Sequence, residues 1–169
     1  MKFIVSFVII VITFVVLVGS YAKTLPLTLE DQNINIVKLS FSAFNEGDFA
    51  SLADLYSPDY LHHSPDSVEV VDWPEYEHLC RIVRHGYPDL QFRIICIFAD
   101  SDKVAVRYVW EYSNDSYQFK RYYPTGLARG SANSIFKIKN SRIVSEWCEY
   151  DPAGIKSFCS VYKRLDHSR

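Results

Sequence analysis

The sequence lacks the short motifs by which several ligand classes are recognised. It has no glycine-rich phosphate loop and no Cys-x-x-Cys pair, so a phosphate cradle and a structural zinc site have no support. It also has no basic run, and 18 Lys and Arg against 20 Asp and Glu give a net charge of −2. This balance argues against a nucleic-acid partner. We therefore expect no nucleic acid, no metal and no cofactor.

Cysteine is sparse and irregularly spaced, with four residues at Cys80, Cys96, Cys148 and Cys159. A disulfide can persist in an oxidising compartment, but a domain of this length does not depend on such cross-links. The alternative is that the thiols are small buried hydrophobic groups. The spacing leaves both alternatives, and the connectivity of any bridge, open.

Long apolar runs are absent except at the N-terminus, where Lys2 precedes the uncharged residues 3–18. Ser20 and Ala22 lie at the spacing that a signal peptidase accepts, so residues 1–22 are predicted to be a signal peptide. An uncleaved signal anchor is the alternative, because the run is long for a signal peptide and slightly short for a membrane span. In either case residues 23–169 form one domain outside the cytosol. We expect it to be secreted or periplasmic, touching a membrane only if the N-terminal segment stays attached.

The first half of the remaining chain has three segments in which a capping side chain precedes apolar residues at helical spacing. Each segment ends at glycine or proline, which terminate helices. The three predicted helices run from Thr28 to Gly47, from Asp48 to Pro58 and from Asp72 to Gly86.

Beyond Pro88 the hydrophobic period changes from helical to two, which is typical of strands. Short polar turns separate these segments, and such connections favour antiparallel neighbours. Helices followed by a strand meander indicate an α+β fold, in which a curved antiparallel sheet wraps about three helices on its concave face. The predicted strands cover residues 91–99, 104–112, 117–123, 131–139 and 142–150.

Two of these strands carry aromatic residues that could line a pocket. Tyr108, Trp110 and Tyr112 share one face of their strand, which we expect to be the concave face. In "RIVSEWCEYD", regular alternation puts Trp147, Glu149 and Asp151 together on the same side. These residues predict an aromatic pocket for a small hydrophobic molecule, with Trp147 and two carboxylates at its rim.

Five stretches occur in the order and spacing of a known family: "FNEGDFASLADLYSPDYLHHSPDS", "YPDLQFRI", "DKVAVRYVW", "YPTG" and "IFKIKNSRIVSEWCEYD". The chain from about Ile34 to Ile155 resembles the SnoaL-like polyketide cyclase family of the nuclear-transport-factor-2-like superfamily. The resemblance implies a cone of curved antiparallel sheet with helices inside its mouth. It also implies aldol-type cyclisation or isomerisation by acid/base chemistry without a cofactor.

The resemblance assigns roles to particular residues. Asp151 matches the family's acidic residue near the end of the sheet, and burial beside Trp147 would raise its pKa toward neutrality. His63 matches a position near the pocket mouth, where it could donate a hydrogen bond to a developing enolate. Glu149 is the reserve base. Ser134 stands where the family often has Asp or His, so the pocket is expected to lose a polar group there.

Two other functions stay open at this point. One is a non-catalytic module that binds a small ligand or dimerises through the outer face of the sheet. The other is epoxide hydration, which would require Arg107 and Glu111 to face inward beside Glu149. Alternation favours the outer face for Arg107 and Glu111, as a surface ion pair.

Overall fold

We describe the computed structural model of the chain at residues 26–64, 70–113 and 127–150. These ranges contain three helices and six strands. The helices are α1 (Leu29–Glu46), α2 (Phe49–Leu55) and α3 (Trp73–Gly86), and the strands are β1 (Tyr56–His63), β2 (Val71–Asp72), β3 (Gln91–Asp100), β4 (Lys103–Ser113), β5 (Leu127–Lys139) and β6 (Arg142–Tyr150). No helix within these ranges is long and apolar enough to cross a membrane, and the predicted export segment lies outside them.

The predicted helix starts are confirmed by their caps, and one predicted end is wrong: α2 ends at Leu55, and Pro58 lies in β1. Thr28 and Asp31 form a reciprocal capping box at the start of α1, and Gly47 ends the helix in the left-handed region with φ 71°. Asp48 accepts a hydrogen bond from the Ser51 amide at 3.0 Å, which begins α2. Asp72 caps α3 in the same way, with a proline in the first turn. Local sequence therefore determines all three helices.

The sheet has the strand order β2-β1-β6-β5-β4-β3. The pairs from β3 to β6 are antiparallel, as their short turns predict. The expectation of a wholly antiparallel sheet needs one correction, because β1 lies parallel to β6. A parallel pair requires a long crossover, and β3, β4, β5 and α3 supply it. The predicted strand 117–123 lies outside the described residues.

A β-bulge in β6 decides which side chains face the helices. Ile138 pairs with Ile143, but the next residue back, Lys137, pairs with Ser145, so Val144 is an extra residue in β6. An extra residue transfers every later side chain to the opposite face. Glu146 consequently points into the core.

The concave face of the sheet is covered by α1, α2 and α3, and the core lies between them. Asn33 and Asn45 of α1 fasten this helix to the sheet, Asn33 by donating to the Ser101 carbonyl at 2.9 Å and Asn45 by bonding both backbone groups of Phe92 at 2.8 Å. Six of the buried core residues are Val37, Leu52, Tyr60, Val104, Phe136 and Ile143. These hydrogen bonds fix α1 on the sheet, and a space is left between the helices and the sheet.

Candidate active site

A cavity of about 220 Å³ lies between the helices and the concave face of the sheet. Its walls are mostly aromatic and aliphatic, including Phe41, Phe44, Phe92, Tyr108, Trp110 and Phe136. Among the described residues that line it, Glu146 is the only carboxylate and His62 the only imidazole. An apolar pocket with a few convergent polar groups is typical of a small-molecule site.

Glu146 is the centre of the polar part of this cavity. Glu146 is buried, with only 3% of the residue exposed, and both of its carboxylate oxygens accept hydrogen bonds. Ser134 donates to Oε1 at 2.7 Å, while Tyr60 and Tyr76 donate to Oε2 at 2.9 and 3.4 Å. A buried carboxylate needs such partners, because an unpaired one would be too costly to desolvate.

His62 is the cationic partner of Glu146 when its ring is protonated. The parallel pairing of β1 with β6 puts the two residues in register, and Nδ1 of His62 lies 3.6 Å from Oε2 of Glu146. The same nitrogen lies 3.3 Å from the Tyr60 hydroxyl. The His62 ring also packs on Tyr76, with 4.8 Å between ring centroids. These contacts hold the imidazole in one orientation at the cavity wall.

The pKa of Glu146 lies below its ordinary value, because two opposing effects do not balance. Burial is the largest single effect and would raise the pKa. His62, with Nδ1 3.6 Å away, lowers it most, the hydrogen bonds from Ser134 and Tyr60 lower it further, and together they outweigh burial. Glu146 is therefore a carboxylate at neutral pH.

The phenols around Glu146 stay protonated at neutral pH. Burial, and then the negative charge of Glu146, raises the pKa of Tyr60 and of Tyr76 well above the ordinary value. Burial also raises the pKa of Tyr108, with smaller contributions from Cys148 and Glu146. Tyr60 uses its hydrogen on Glu146, whereas Tyr76 and Tyr108 line the cavity and keep the kind of protonated hydroxyl that can stabilise a negative oxygen.

The two buried cysteines beside the site have low reactivity for the same reason as the phenols, namely burial next to a negative charge. Burial, and then the charge of Glu146, raises the pKa of Cys80 to about 12 and that of Cys148 to about 11. Cys80, Cys96 and Cys148 are free thiols, and Cys96 is exposed. No disulfide joins these three, and Cys159 lies outside the described residues.

The structure places the predicted catalytic residues away from the cavity or beyond the described part. Asp151 lies outside the described residues. His63 stacks on Trp147 at the outer face, with 5.0 Å between ring centroids and an interplanar angle of 7°. Trp147 is 42% exposed, and Glu149 is exposed beside it. Strict alternation predicts that Trp147 and Glu149 face the pocket, but they do not. The bulge at Val144 explains the difference, since it moves them to the side opposite Glu146.

The predicted aromatic wall of β4 is buried, and two of its three members line the cavity. Tyr108 and Trp110 face the space directly. Tyr112 lies behind Trp110, with 5.9 Å between ring centroids, in a second buried cluster with Tyr87. Tyr112 therefore supports the wall and does not form it.

Arg107 and Glu111 lie on the outer face, as alternation predicts, but they do not pair with each other. Glu111 pairs with Arg129 at 3.1 Å and with Arg93 at 3.7 Å. Arg107 is exposed and donates to Asn133 at 3.3 Å. Neither residue reaches the cavity, so the arrangement required for epoxide hydration is not formed.

Sequence reasoning missed both His62 and Glu146, and it misjudged Ser134. Each missed residue adjoins a predicted one, His62 before His63 and Glu146 before Trp147. Their residue types could have indicated them. A bulge can reverse the face on which a strand's side chains lie, so the histidine and the glutamate next to the predicted residues were also candidates. Ser134 does not remove polarity from the pocket, because it is buried and donates to Glu146.

Within the described ranges, no three His, Cys, Asp or Glu side chains converge in a way that could hold a metal ion. The groups that converge in the cavity are one carboxylate, one imidazole and several hydroxyls. This arrangement suits hydrogen bonding and proton transfer.

The described residues form a nuclear-transport-factor-2-like α+β fold, in which three helices pack on a curved mixed sheet. Residues 35–157 match the sequence pattern of the SnoaL-like polyketide cyclase family. Because this match spans most of the chain, the protein belongs to that family.

Solved structures with the same fold include three instructive neighbours. IdmH of Streptomyces antibioticus, a candidate polyketide cyclase, is 23% identical with a TM-score of 0.67, over 75% of this chain and 96% of IdmH. A SnoaL-like protein from Jannaschia is 14% identical with a TM-score of 0.65, over 79% and 95% of the two chains. A candidate ketosteroid isomerase from Kribbella flavida is 15% identical with a TM-score of 0.57, over 72% and 79%. At these identities the likeness establishes the fold alone. Comparison with curated proteins gave no match.

Proposed function

We propose that the protein is a cofactor-free acid/base enzyme that acts on a small hydrophobic carbonyl compound, with His62 as the proton-transfer group. The observation that carries this proposal is the His62–Glu146 pair, held 3.6 Å apart in an otherwise apolar cavity. Titratable pairs in such apolar clefts are typical of acid/base catalysis. The reaction class is an aldol-type cyclisation or an isomerisation, since both begin by forming an enolate.

The cavity walls select the substrate by burial of apolar surface. Phe41, Phe92 and Trp110 present rings to the cavity, and an aromatic or alicyclic molecule would gain about 25 cal/mol for each Å² of apolar surface removed from water. Exclusion of water also strengthens every electrostatic interaction with the reacting groups. The polar end of the substrate would then lie against His62 and Glu146.

The two members of the pair have different roles. Glu146 is a weak base because its pKa is lowered and its oxygens already accept hydrogen bonds. An imidazole is the side chain best suited to exchange protons near neutral pH. With Nδ1 of His62 directed at Glu146, Nε2 is the nitrogen left to accept a proton from substrate, while the carboxylate stabilises the imidazolium that forms.

The proton balance of the reaction follows from this arrangement. Nε2 of His62 takes a proton from the carbon next to a carbonyl, and the C–H electron pair moves into the enolate. For cyclisation, the enolate carbon attacks a second carbonyl of the same molecule, and the resulting alkoxide takes the proton back from His62. For isomerisation, the proton returns to a different carbon. No oxidant or further reactant is needed.

Tyr76 is the best placed donor to the enolate oxygen. Its ring lines the cavity, its raised pKa keeps the proton on the phenol, and its hydroxyl would exchange the long 3.4 Å hydrogen bond to Glu146 for one to the substrate oxygen. A hydrogen bond that strengthens as the oxygen becomes negative lowers the barrier to proton abstraction. Asp151, which the family resemblance makes the acid/base residue, lies outside the described residues and stays a prediction.

We also propose that the reaction occurs outside the cytosol, since residues 1–22 have the features of an export signal. N-terminal sequencing of the protein after expression in a secreting host would test this. A mature chain that begins at Lys23 supports export with cleavage, whereas a chain that keeps Met1 in the soluble cytosolic fraction contradicts it.

The function is tested by deuterium exchange into a hydrophobic ketone. The purified protein is incubated with 2-tetralone in D₂O, and loss of the α C–H signal is followed by NMR. We expect exchange well above the rate with buffer alone, together with saturable binding. Saturable binding without accelerated exchange, for this ketone and for enone and diketone analogues of similar size, would instead support a non-catalytic binding module.

A further inference from the structure

The hydroxyl group of Tyr60 contacts both members of the His62–Glu146 pair. It donates a hydrogen bond to Oε2 of Glu146 at 2.9 Å, and it lies 3.3 Å from Nδ1 of His62. Nδ1 and Oε2 are themselves 3.6 Å apart, a separation too long for a direct hydrogen bond. Tyr60 is therefore the hydrogen-bonded link between the imidazole and the carboxylate.

The fold holds this link in place. Tyr60 and His62 are two residues apart on β1, so both side chains lie on the same face of the strand, and Glu146 is in register with His62 on β6. The Tyr60 residue is 0% exposed, and its ring packs against Tyr56 and Tyr76 with 4.8 and 5.1 Å between ring centroids. A phenol packed in this way cannot turn its hydroxyl group toward water, so its hydrogen bonds stay within the site.

The direction of each hydrogen bond follows from the number of hydrogens available. Glu146 is ionised and has no hydrogen to donate, so its bond with Tyr60 uses the single hydrogen of the phenol. Burial, and then the charge of Glu146, keeps the pKa of Tyr60 well above its ordinary value, so this hydrogen stays on the phenol. The phenol oxygen can then only accept from His62. A neutral imidazole that bonds to it must carry its hydrogen on Nδ1.

We propose that Tyr60 is a positioning residue, which links His62 to Glu146 and fixes the hydrogen of the neutral imidazole on Nδ1, so that Nε2 is the basic nitrogen. The role in catalysis rests on the proposed function, in which Nε2 takes the substrate proton. Tyr60 is not one of the described residues that line the cavity, so it acts through His62 and does not touch the substrate. Fixing the tautomer of a histidine base is a recognised task of the group that bonds its other nitrogen.

Tyr60 keeps the same bonds throughout the proposed reaction. Nε2 of His62 gains a proton from the substrate and later returns it, while Nδ1 retains its own hydrogen and continues to donate it to Tyr60. The phenol hydrogen stays on the side of Glu146, so no proton needs to pass along the link. The carboxylate polarises the phenol oxygen toward the imidazolium, which strengthens the bond at the moment when the ring is charged.

The inference is tested without substrate, by ¹⁵N NMR of the purified full chain labelled in its histidine rings. The pH is raised until the shifts stop changing, so that the imidazole is neutral, and the His62 signals are assigned by their loss in His62→Gln. The ¹⁵N shift of each ring nitrogen shows whether it carries a hydrogen. We expect the hydrogen of wild-type His62 on Nδ1. Tyr60→Phe removes the acceptor and should lose this preference in favour of the Nε2–H tautomer.

Tyr76→Phe is the matched control, because Tyr76 also donates to Oε2 of Glu146, at 3.4 Å. This variant removes a phenol hydroxyl from the same carboxylate oxygen but leaves the link through Tyr60, so His62 should keep its hydrogen on Nδ1. With 2-tetralone, Tyr60→Phe should lower the deuterium exchange rate about 10- to 100-fold. Its dissociation constant for the ketone should stay within about twofold of wild type, since Tyr60 does not line the described part of the cavity.

Three results would overturn the proposal. A wild-type His62 with its hydrogen on Nε2 would do so without any variant, even if Tyr60→Phe does not fold. An Nδ1 hydrogen that is retained in Tyr60→Phe would show that Glu146 alone fixes the tautomer. An equal loss of the preference in Tyr60→Phe and Tyr76→Phe would assign it to the surroundings of the carboxylate. The expected tautomers without ketone exchange in wild type would instead support the link through Tyr60 and contradict the proposed function. Circular dichroism of each variant identifies misfolding.

Discussion

His62 and Glu146 come from strands that are far apart in sequence, yet Nδ1 of the imidazole lies 3.6 Å from Oε2 of the carboxylate. Two irregular features create this contact. The parallel pairing of β1 with β6 puts the residues in register, and the bulge at Val144 turns Glu146 inward. The cavity thereby acquires a carboxylate beside an imidazole, in walls that are otherwise mostly hydrocarbon and phenol.

Replacing Glu146 by glutamine should destabilise the fold at neutral pH by about 1 to 3 kcal/mol, the cost of weakening hydrogen bonds to a buried charge. Because the folded pKa of Glu146 lies below its ordinary value of 4.5, its stabilising contribution is complete above about pH 4.5. The contribution is lost as the pH falls through the folded pKa. Urea unfolding of wild type and Glu146→Gln from pH 7 to pH 3 should therefore show a difference that shrinks in acid.

The matched control is Asp54→Asn, which neutralises an exposed carboxylate on α2. It should change the free energy of unfolding by no more than about 0.5 kcal/mol at any of these pH values. A stability difference for Glu146→Gln that stays constant or grows toward pH 3 would contradict the ionised, paired state of Glu146.

Cys96 should react much faster than Cys80 or Cys148 with a thiol reagent at pH 8. The thiolate is the reactive form, and the raised pKa values of about 12 and about 11 leave the two buried thiols protonated. Labelling the native protein with iodoacetamide and mapping the modified peptides by mass spectrometry measures the order. Labelling of Cys80 or Cys148 at the rate of Cys96 would show that the cavity wall is open to solvent, whereas equal labelling of all three in urea is the expected control.

Gly130→Ala should destabilise the protein by about 1 to 3 kcal/mol through overpacking. A β-carbon at this position would overlap Cζ2 of Trp110, so the indole that forms part of the cavity wall would have to move. Thermal unfolding measures the loss of stability, and binding of a hydrophobic ketone measures the change in the cavity. Ser131→Ala, at the next position of β5, is the control and should have little effect. Equal stability of Gly130→Ala and wild type would mean that Trp110 does not pack on Gly130.

Most of the fold could be predicted because its signals are local. Thr28, Asp48 and Asp72 each cap a helix, and alternation gave β4 its buried face. The site could not be predicted because it depends on two non-local features. The pairing of His62 with Glu146 joins strands that local sequence does not connect, and the bulge at Val144 reverses a face that strict alternation assigns to Trp147 and Glu149. One inserted residue therefore brings Glu146 into the cavity and leaves the reserve base Glu149 on the outer face.

The proposed function requires that His62, and not the adjacent His63, transfers the proton. The most direct measurement compares the deuterium exchange rate of bound 2-tetralone for wild type, His62→Ala and His63→Ala, two substitutions of one residue type at adjacent positions on opposite faces of β1. We expect His62→Ala to lower the rate at least 100-fold and His63→Ala to leave it within about twofold. Equal rates for wild type and His62→Ala, or a larger loss in His63→Ala, would contradict the account.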